Sequence, residues 1–508
     1  MAATVGAALH WWARTKADET AIIVAEERLT YRQLHQWSSR LARRLADDGV
    51  KPGDRVGLLA PNSLQWPVAA LAILKSGAVL VPLNSRLKPA EIGKVADDAG
   101  MSAVIAAPTH VATAQSARAD DRAFAVWGFD IVDAERSGEP DDFRIDRALD
   151  DPIAVIFTSG STGLSKGVIL TNQTLMGIVL ENTLTEEGFR PGTVALLVLP
   201  LAFTPGLVYG VLITTILGGS LIVEPDLNPS RAVTLIEKHS VRVLFGVPLI
   251  FEALSRAPEF DDADLSSLQT AIVGGAAVPV DLLRRWADKK VLLRQIYGMT
   301  EAGGVATATL KSEALEHPDS CGTGSIFTEV RVMGDDGSLL GPGQQGELVV
   351  RGPAVTPGYW DDPKSTAIAI RDGWLHSGDL GTSDTEGRVT FVDRMKDLII
   401  SGGINISPVE LEAAIATLEG VEEVAVIAAR DPRFGETPAA IVTVASGSKG
   451  LTEAAVVAHC EKILSDYKVP RYVVLRSEPL PRLPSGKLAK RAIREEYHDV
   501  SERFTRAR

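Results

Sequence analysis

Ile153-Ala154-Val155-Ile156-Phe157-Thr158-Ser159-Gly160-Ser161-Thr162-Gly163-Leu164-Ser165-Lys166-Gly167-Val168-Ile169-Leu170 joins two apolar runs through a loop of Gly, Ser and Thr. Residues 153–157 form a short, branched, apolar run, which predicts a buried strand, and residues 168–170 predict a second one. The loop is therefore expected at a strand–strand turn. Its glycines let backbone N–H groups approach phosphate oxygens closely, the Ser and Thr hydroxyls add donors, and Lys166 supplies charge for the outer phosphates. A Walker A loop would need Gly-Lys-Ser/Thr opening a helix, whereas here Lys166 precedes Gly167 and a strand follows. Taken alone, such a loop also reads as a polar turn.

Outward from this hairpin, strand and helix patterns alternate, as in a layered α/β architecture. Residues 55–60 read as a strand entered from the turn Pro52-Gly53-Asp54, 66–74 as a helix and 78–83 as a strand again. Residues 231–239 predict a helix, 241–245 a strand, and 270–273 a strand ending in Gly274-Gly275. From 327 to 392 short β runs such as 347–351 and 389–392 are separated by Gly, Asp and Pro, which predicts a small β subdomain. After Lys396 the pattern is α+β: a helix over about 408–418, a strand over 424–427, and a capped helix over 452–465. The expected plan is a large N-terminal domain of layered α/β subdomains plus a small β subdomain (1–395), with a small mobile α+β C-terminal domain (396–508).

With 508 residues and 45% hydrophobic composition, the chain can bury a large core without disulfides. A net charge of −13 opposes broad binding to nucleic acid or anionic lipid. The two cysteines, Cys321 and Cys460, lack metal or redox spacing and fit a reducing compartment. The N-terminus has no basic-then-apolar secretory pattern. Residues 191–223 carry no charge at all, but Pro200, Pro205 and Gly218-Gly219 interrupt them. That stretch predicts a buried strand, helix and strand rather than a membrane span. A cytoplasmic protein is expected.

Further motifs fall in a recognisable order: Leu29-Thr30-Tyr31, Lys75-Ser76-Gly77-Ala78, the Gly/Ser/Thr loop, Tyr297-Gly298-Met299-Thr300-Glu301, Trp374-Leu375-His376-Ser377-Gly378-Asp379, Asp393-Arg394-Met395-Lys396-Asp397 and Pro484-Ser485-Gly486-Lys487. Together they resemble the acyl-adenylate-forming superfamily of acyl- and aryl-CoA synthetases, luciferases and peptide-synthetase adenylation domains, and most closely its acyl-CoA synthetases.

The resemblance implies an ATP-dependent acid–CoA ligase using Mg²⁺ and coenzyme A. It assigns ATP binding to Thr158, Ser159, Gly160, Ser161, Thr162, Gly163, Lys166, Gly274, Gly275, Ala276, Tyr297, Gly298, Thr300, Asp379 and Arg394. Tyr297 would pack near the adenine, Thr300 would bond the α-phosphate, and Glu301 would hold Mg²⁺, a hard ion suited to a carboxylate. Asp379, which only accepts, would receive the ribose hydroxyls. Lys487 is implied as the catalytic lysine of the first half-reaction, acting with Thr300 and Glu301. Lys396 is implied as the hinge between two catalytic poses, and Gly402-Gly403 as lining of the CoA tunnel. The acyl pocket falls to Phe203, Thr204, Val247, Gly298, Gly303 and Gly304.

One departure bears on substrate. Many relatives carry an aromatic residue followed by His where this chain has Ala202-Phe203. Phe203 offers an apolar wall and no hydrogen bond. No Asp stands between 199 and 209 to hold a substrate ammonium, which would be costly to bury unpaired. A bulky hydrophobic fatty, aryl or polycyclic acid is expected. Ser165 stands where relatives often have Pro. The alternatives are a ligase that loads a separate carrier protein, a luciferase-like oxygenase, and a nucleotide sensor without chemistry. A homodimer is compatible with the resemblance.

Overall fold

The computed structural model describes residues 3–118, 124–158, 166–276, 278–401, 404–448, 450–483 and 487–508. Five of the expected loop residues (Ser159, Gly160, Ser161, Thr162 and Gly163) and both expected tunnel glycines, Gly402 and Gly403, lie outside the described residues. Two compact units are present, Met1–Val330 with Val349–His376, and Arg331–Leu348 with Ser377–Arg508.

The first unit is built on two sheets. In the eight-stranded sheet, six parallel strands run in the order Leu293–Tyr297, Thr270–Gly274, Val243–Gly246, Val194–Leu197, Ser220–Val223 and Thr20–Val24. Antiparallel strands Thr307–Ala308 and Glu27–Thr30 close its two edges. The six-stranded sheet orders Ala125–Gly128, Met101–Ala106, Arg55–Leu59, Val79–Leu83 and Pro152–Thr158 in parallel, then Lys166–Thr171 antiparallel at the edge. Parallel strands covered on both faces read as unbroken apolar runs, and Val79–Leu83 is buried at every position.

Helix Tyr31–Asp47 starts at a capping box, Thr30 Oγ1 accepting from Gln33 N while Gln33 Oε1 accepts from Thr30 N. Helix Gln65–Lys75 is apolar all round and is buried accordingly. Both helices belong to one apolar cluster with residues of both sheets, including Trp37, Trp66, Leu80 and Leu197.

Lys75 closes this second helix inside the core. Its Nζ lies 3.0 Å from His35 Nδ1 and donates to Ser38 Oγ (3.1 Å), Ser39 Oγ (2.7 Å) and His35 O (2.9 Å). Burial holds this ammonium well below the ordinary lysine pKa.

The charge-free stretch forms the two expected strands, Val194–Leu197 and Ser220–Val223. The helix between them is wound as a π-helix over Pro205–Leu212 before it tightens to an α-helix at Ile213–Ile216. Gly206 is required there, since a Cβ would lie 2.3 Å from the Pro200 carbonyl oxygen. Among the described residues no helix is long and apolar enough to cross a membrane.

The expected small β region is present as short strands between Glu329–Met333 and Val389–Arg394. In the second unit, residues 379–383 pair antiparallel with 389–394, setting Asp379 opposite Arg394. A five-stranded sheet follows in the order Ile404–Ile406, Ile399–Ser401, Gly435–Val444 and Val421–Asp431, with Tyr472–Arg476 pairing parallel to Gly435–Val444. Strand alternation explains its two covered faces. Val424 and Val426 pack with helices Pro408–Ala416 and Glu453–Ile463, while Ala425 and Ile427 pack with Lys490–Glu496 and Val500–Arg503.

Candidate active site

In the first unit, Thr158 and Lys166 face each other across the antiparallel pair at the ends of the two strands. The loop thus joins strand to strand, as its sequence predicts. Lys166 is half-buried, and its Nζ lies 4.8 Å from the centre of the Tyr359 ring. Gly274 ends its strand against Ile296; a Cβ there would lie 2.4 Å from Ile296 Cγ1. Gly275 follows at φ +83°, and it and Ala276 are exposed.

Tyr297 is buried at the end of strand Leu293–Tyr297, and a 3-10 turn over Thr300–Ala302 comes next. Gly298 admits no side chain, because a Cβ would lie 2.1 Å from the Gly304 carbonyl oxygen. Gly303 and Gly304 return the chain at φ +73° and +104°, a region that favours glycine. The buried Tyr209 hydroxyl donates to Gly303 O at 3.1 Å.

The turn presents two functional side chains. Thr300 Oγ1 is 2.9 Å from Thr204 Oγ1. Glu301 is buried, and its Oε1 accepts a hydrogen bond from the Tyr359 hydroxyl at 2.9 Å. Burial, then the charge of Glu301, pushes the Tyr359 phenol above its usual pKa, so it stays protonated and donating.

A small cavity is lined by Thr204, Thr300, Gly303, Val168, Ala354 and Thr356, among others. It joins three of the expected residues, Thr204, Thr300 and Gly303. Phe203 and Val247 are half-buried and lie outside its lining. The donor set suits magnesium: one buried carboxylate beside hydroxyls leaves most of an octahedral ion for phosphate oxygens and water.

A second group of metal-type side chains has a different explanation. His10, His35 and Asp142 bring ligand atoms within 4.8 Å of one another. His35 Nδ1 lies 3.0 Å from Lys75 Nζ and its Nε2 lies 2.7 Å from Asp142 Oδ1, so both ring nitrogens already have protein partners. The lone pair a metal would need is thereby occupied. Burial, then the nearby Lys75 charge, lowers the His35 pKa to about 4.

In the second unit, Asp379 is buried and its Oδ1 lies 3.6 Å from Arg394 Nε. Lys396 stands in the 3-10 turn Met395–Asp397. It and Lys487 are exposed as whole residues. Their ammonium groups are nevertheless partly desolvated, which lowers both pKa values, and the positive charge of Arg394 adds to that. Asp379 opposes the shift at both lysines. Asp379, Arg394, Lys396 and Lys487 therefore share one electrostatic neighbourhood.

Residues without an assigned role from sequence also matter here. Asp393 is buried and accepts from Ser407 Oγ (2.7 Å), Val409 N (3.1 Å) and its neighbour Arg394 N (2.7 Å). It joins the strand before Lys396 to the start of helix Pro408–Ala416. Asp393 lies inside a quoted motif, which could have signalled it. Tyr359 had no such signal beyond following a glycine.

Residues 9–360 match the family model described as AMP-binding enzyme, and residues 410–487 match that of the AMP-binding enzyme C-terminal domain. The chain belongs to the AMP-binding enzyme family. This AMP-binding enzyme is 39% identical to the feruloyl-CoA synthase of an Amycolatopsis species, over 96% of this chain and 97% of that protein. It is 35% identical to the long-chain-fatty-acid–CoA ligase FadD13 of Mycobacterium tuberculosis, over 96% of this chain and 98% of the relative. A solved fatty acyl CoA synthetase of Mycobacterium tuberculosis superposes with a TM-score of 0.79 at 32% identity, covering 98% of this chain and 99% of that one.

Proposed function

We propose that this AMP-binding enzyme is an ATP-dependent carboxylic acid–CoA ligase for a hydrophobic fatty, aryl or polycyclic acid. The observation that carries the reading is likeness over nearly the whole chain to relatives named for joining feruloyl and long-chain acyl groups to CoA. The uncharged segment 191–223 supports an apolar acid.

In the first half-reaction the substrate carboxylate attacks the α-phosphorus of ATP, and pyrophosphate leaves. Both partners are anionic, so the protein's task is to orient them and offset charge. Lys166 and the Gly/Ser/Thr loop hold the outer phosphates, Thr300 bonds the α-phosphate, and Asp379 and Arg394 hold the ribose. Glu301 would hold Mg²⁺, whose charge would offset that of the phosphate oxygens when bound. Lys487 meets the carboxylate and the charge developing at the α-phosphate.

In the second half-reaction the CoA thiolate attacks the acyl carbonyl and AMP departs, so no protein nucleophile is needed. Lys396, between domains 1–395 and 396–508, is the hinge of this reading, and Gly402-Gly403 line the CoA path. Gly274, Gly275, Ala276, Tyr297 and Gly298 flank the adenine, and Phe203, Thr204, Val247, Gly303 and Gly304 the acyl group.

The test is pyrophosphate release from ATP and Mg²⁺ across fatty, benzoic, cinnamic and polycyclic acids, with and without CoA. Strong CoA-dependent turnover with one class is expected. Turnover indifferent to CoA would instead indicate a carrier-loading ligase, and none with any acid would overturn the catalytic reading.

A further inference from the structure

Residues 356–360 are hydrogen-bonded to two elements of the candidate site at once. On one side Thr356 N donates to Glu301 O at 2.8 Å. On the other, Thr356 Oγ1 donates to Ile169 O (2.8 Å), Ile169 N to Gly358 O (3.1 Å) and Trp360 N to Gly167 O (2.7 Å). Tyr359 N is held in turn by Thr366 Oγ1 at 2.9 Å. A backbone fixed at this many points leaves the Tyr359 side chain little freedom.

That side chain reaches two predicted site residues with its two chemically different parts. The hydroxyl donates to Glu301 Oε1, and the ring face receives Lys166 Nζ. A phenol is suited to both contacts, since its O–H donates to a carboxylate and its π-face attracts a cation. Neither contact neutralises its charged partner as an ion pair would.

We propose that Tyr359 is a positioning residue that sets Glu301 and Lys166 relative to each other, and so sets how the metal and the outer phosphates are received together. This rests on the function proposed above. Because the phenol is neutral over the working pH range, it orients Glu301 without competing for a cation. With the hydroxyl removed, the buried carboxylate loses a donor and its rotamer is less constrained. With the ring also removed, Lys166 loses the surface it rests on.

The experiment uses the full chain and MgCl₂ as probe, following pyrophosphate release at varied Mg²⁺ and, separately, ATP binding by calorimetry with and without MgCl₂ in the absence of acid. Tyr359→Phe should raise the Mg²⁺ half-saturation about tenfold, the scale of one lost hydrogen bond to a charged group. The KM for the acid should not change. Tyr359→Leu should weaken ATP binding by a further factor of about 3, the scale of a partly exposed cation–π contact. In a Glu301→Ala background the Tyr359→Phe effect should vanish.

An unchanged Mg²⁺ half-saturation in a folded Tyr359→Phe enzyme, or additive effects in the double variant, would overturn the proposal. A wild-type protein that neither binds ATP nor releases pyrophosphate would instead overturn the function it rests on.

Discussion

The candidate residues of the first unit and those of the second are held on opposite principles. In the first unit, Glu301 and Thr300 sit in a turn where neighbouring hydroxyls, glycines and backbone donors hold them. In the second unit, Arg394, Lys396 and Lys487 are exposed, and their positive charges work against one another. The first arrangement is pre-organised by hydrogen bonds and close backbone packing. The second keeps like charges together with Asp379 as their shared counter-charge, a state that an arriving anion would relieve.

The contrast can be broken most directly at Lys487. Lys487→Ala should cut acyl-AMP formation by about 10²–10³, the scale of losing one transition-state charge contact, while thioester formation from supplied acyl-AMP persists. Equal loss of both steps, measured in separate half-reaction assays, would remove the lysine from its role.

Rigidity of the first unit can be tested away from the site. Arg294 and Glu186 form a buried ion pair at the strand that ends in Tyr297, with Arg294 Nε also donating to Thr309 O. Arg294→Met leaves Glu186 uncompensated and should lower stability by about 3 kcal/mol in a denaturant titration. Asp393→Ala removes an acceptor shared by three donors in the second unit and should cost about 2 kcal/mol, read as an earlier melting of that unit. A silent Asp393→Ala would mean that the helix start holds the Lys396 turn without it.

The smallest effect is a pH slope. With its pKa lowered from 6.5 to about 4, His35 stays neutral in the folded chain while the unfolded chain takes up a proton. The contribution is fully present above pH 6.5 and is lost as pH falls toward 4. Stability should therefore decline by about 1 kcal/mol per pH unit in that window. His35→Gln should flatten the slope, compared by thermal melts in matched buffers.

Local pattern made much of this molecule readable. The two apolar runs around Thr158 and Lys166 are adjacent antiparallel strands, and the charge-free stretch 191–223 is a buried strand, helix and strand. Its π winding was not readable, because it arises where Gly206 meets the backbone at Pro200 and Leu201. The Lys75 network was hidden for a similar reason. A lysine in an apolar helix shows in sequence only as an exception, and the acceptors that satisfy it come from residues 36–40 positions earlier.

What the sequence by itself determined is the class of chemistry and the layered α/β plan. The first rests on the family resemblance carried by short contiguous motifs, and the second on strand and helix periodicity set by neighbours along the chain. What only the tertiary structure decided is which side chains act together. Tyr359 with Glu301 and Lys166, Thr204 with Thr300, and Arg294 with Glu186 are each separated by tens to more than a hundred residues. Such pairings depend on sheet order and on close backbone approach at glycines, and no local property of either partner encodes them.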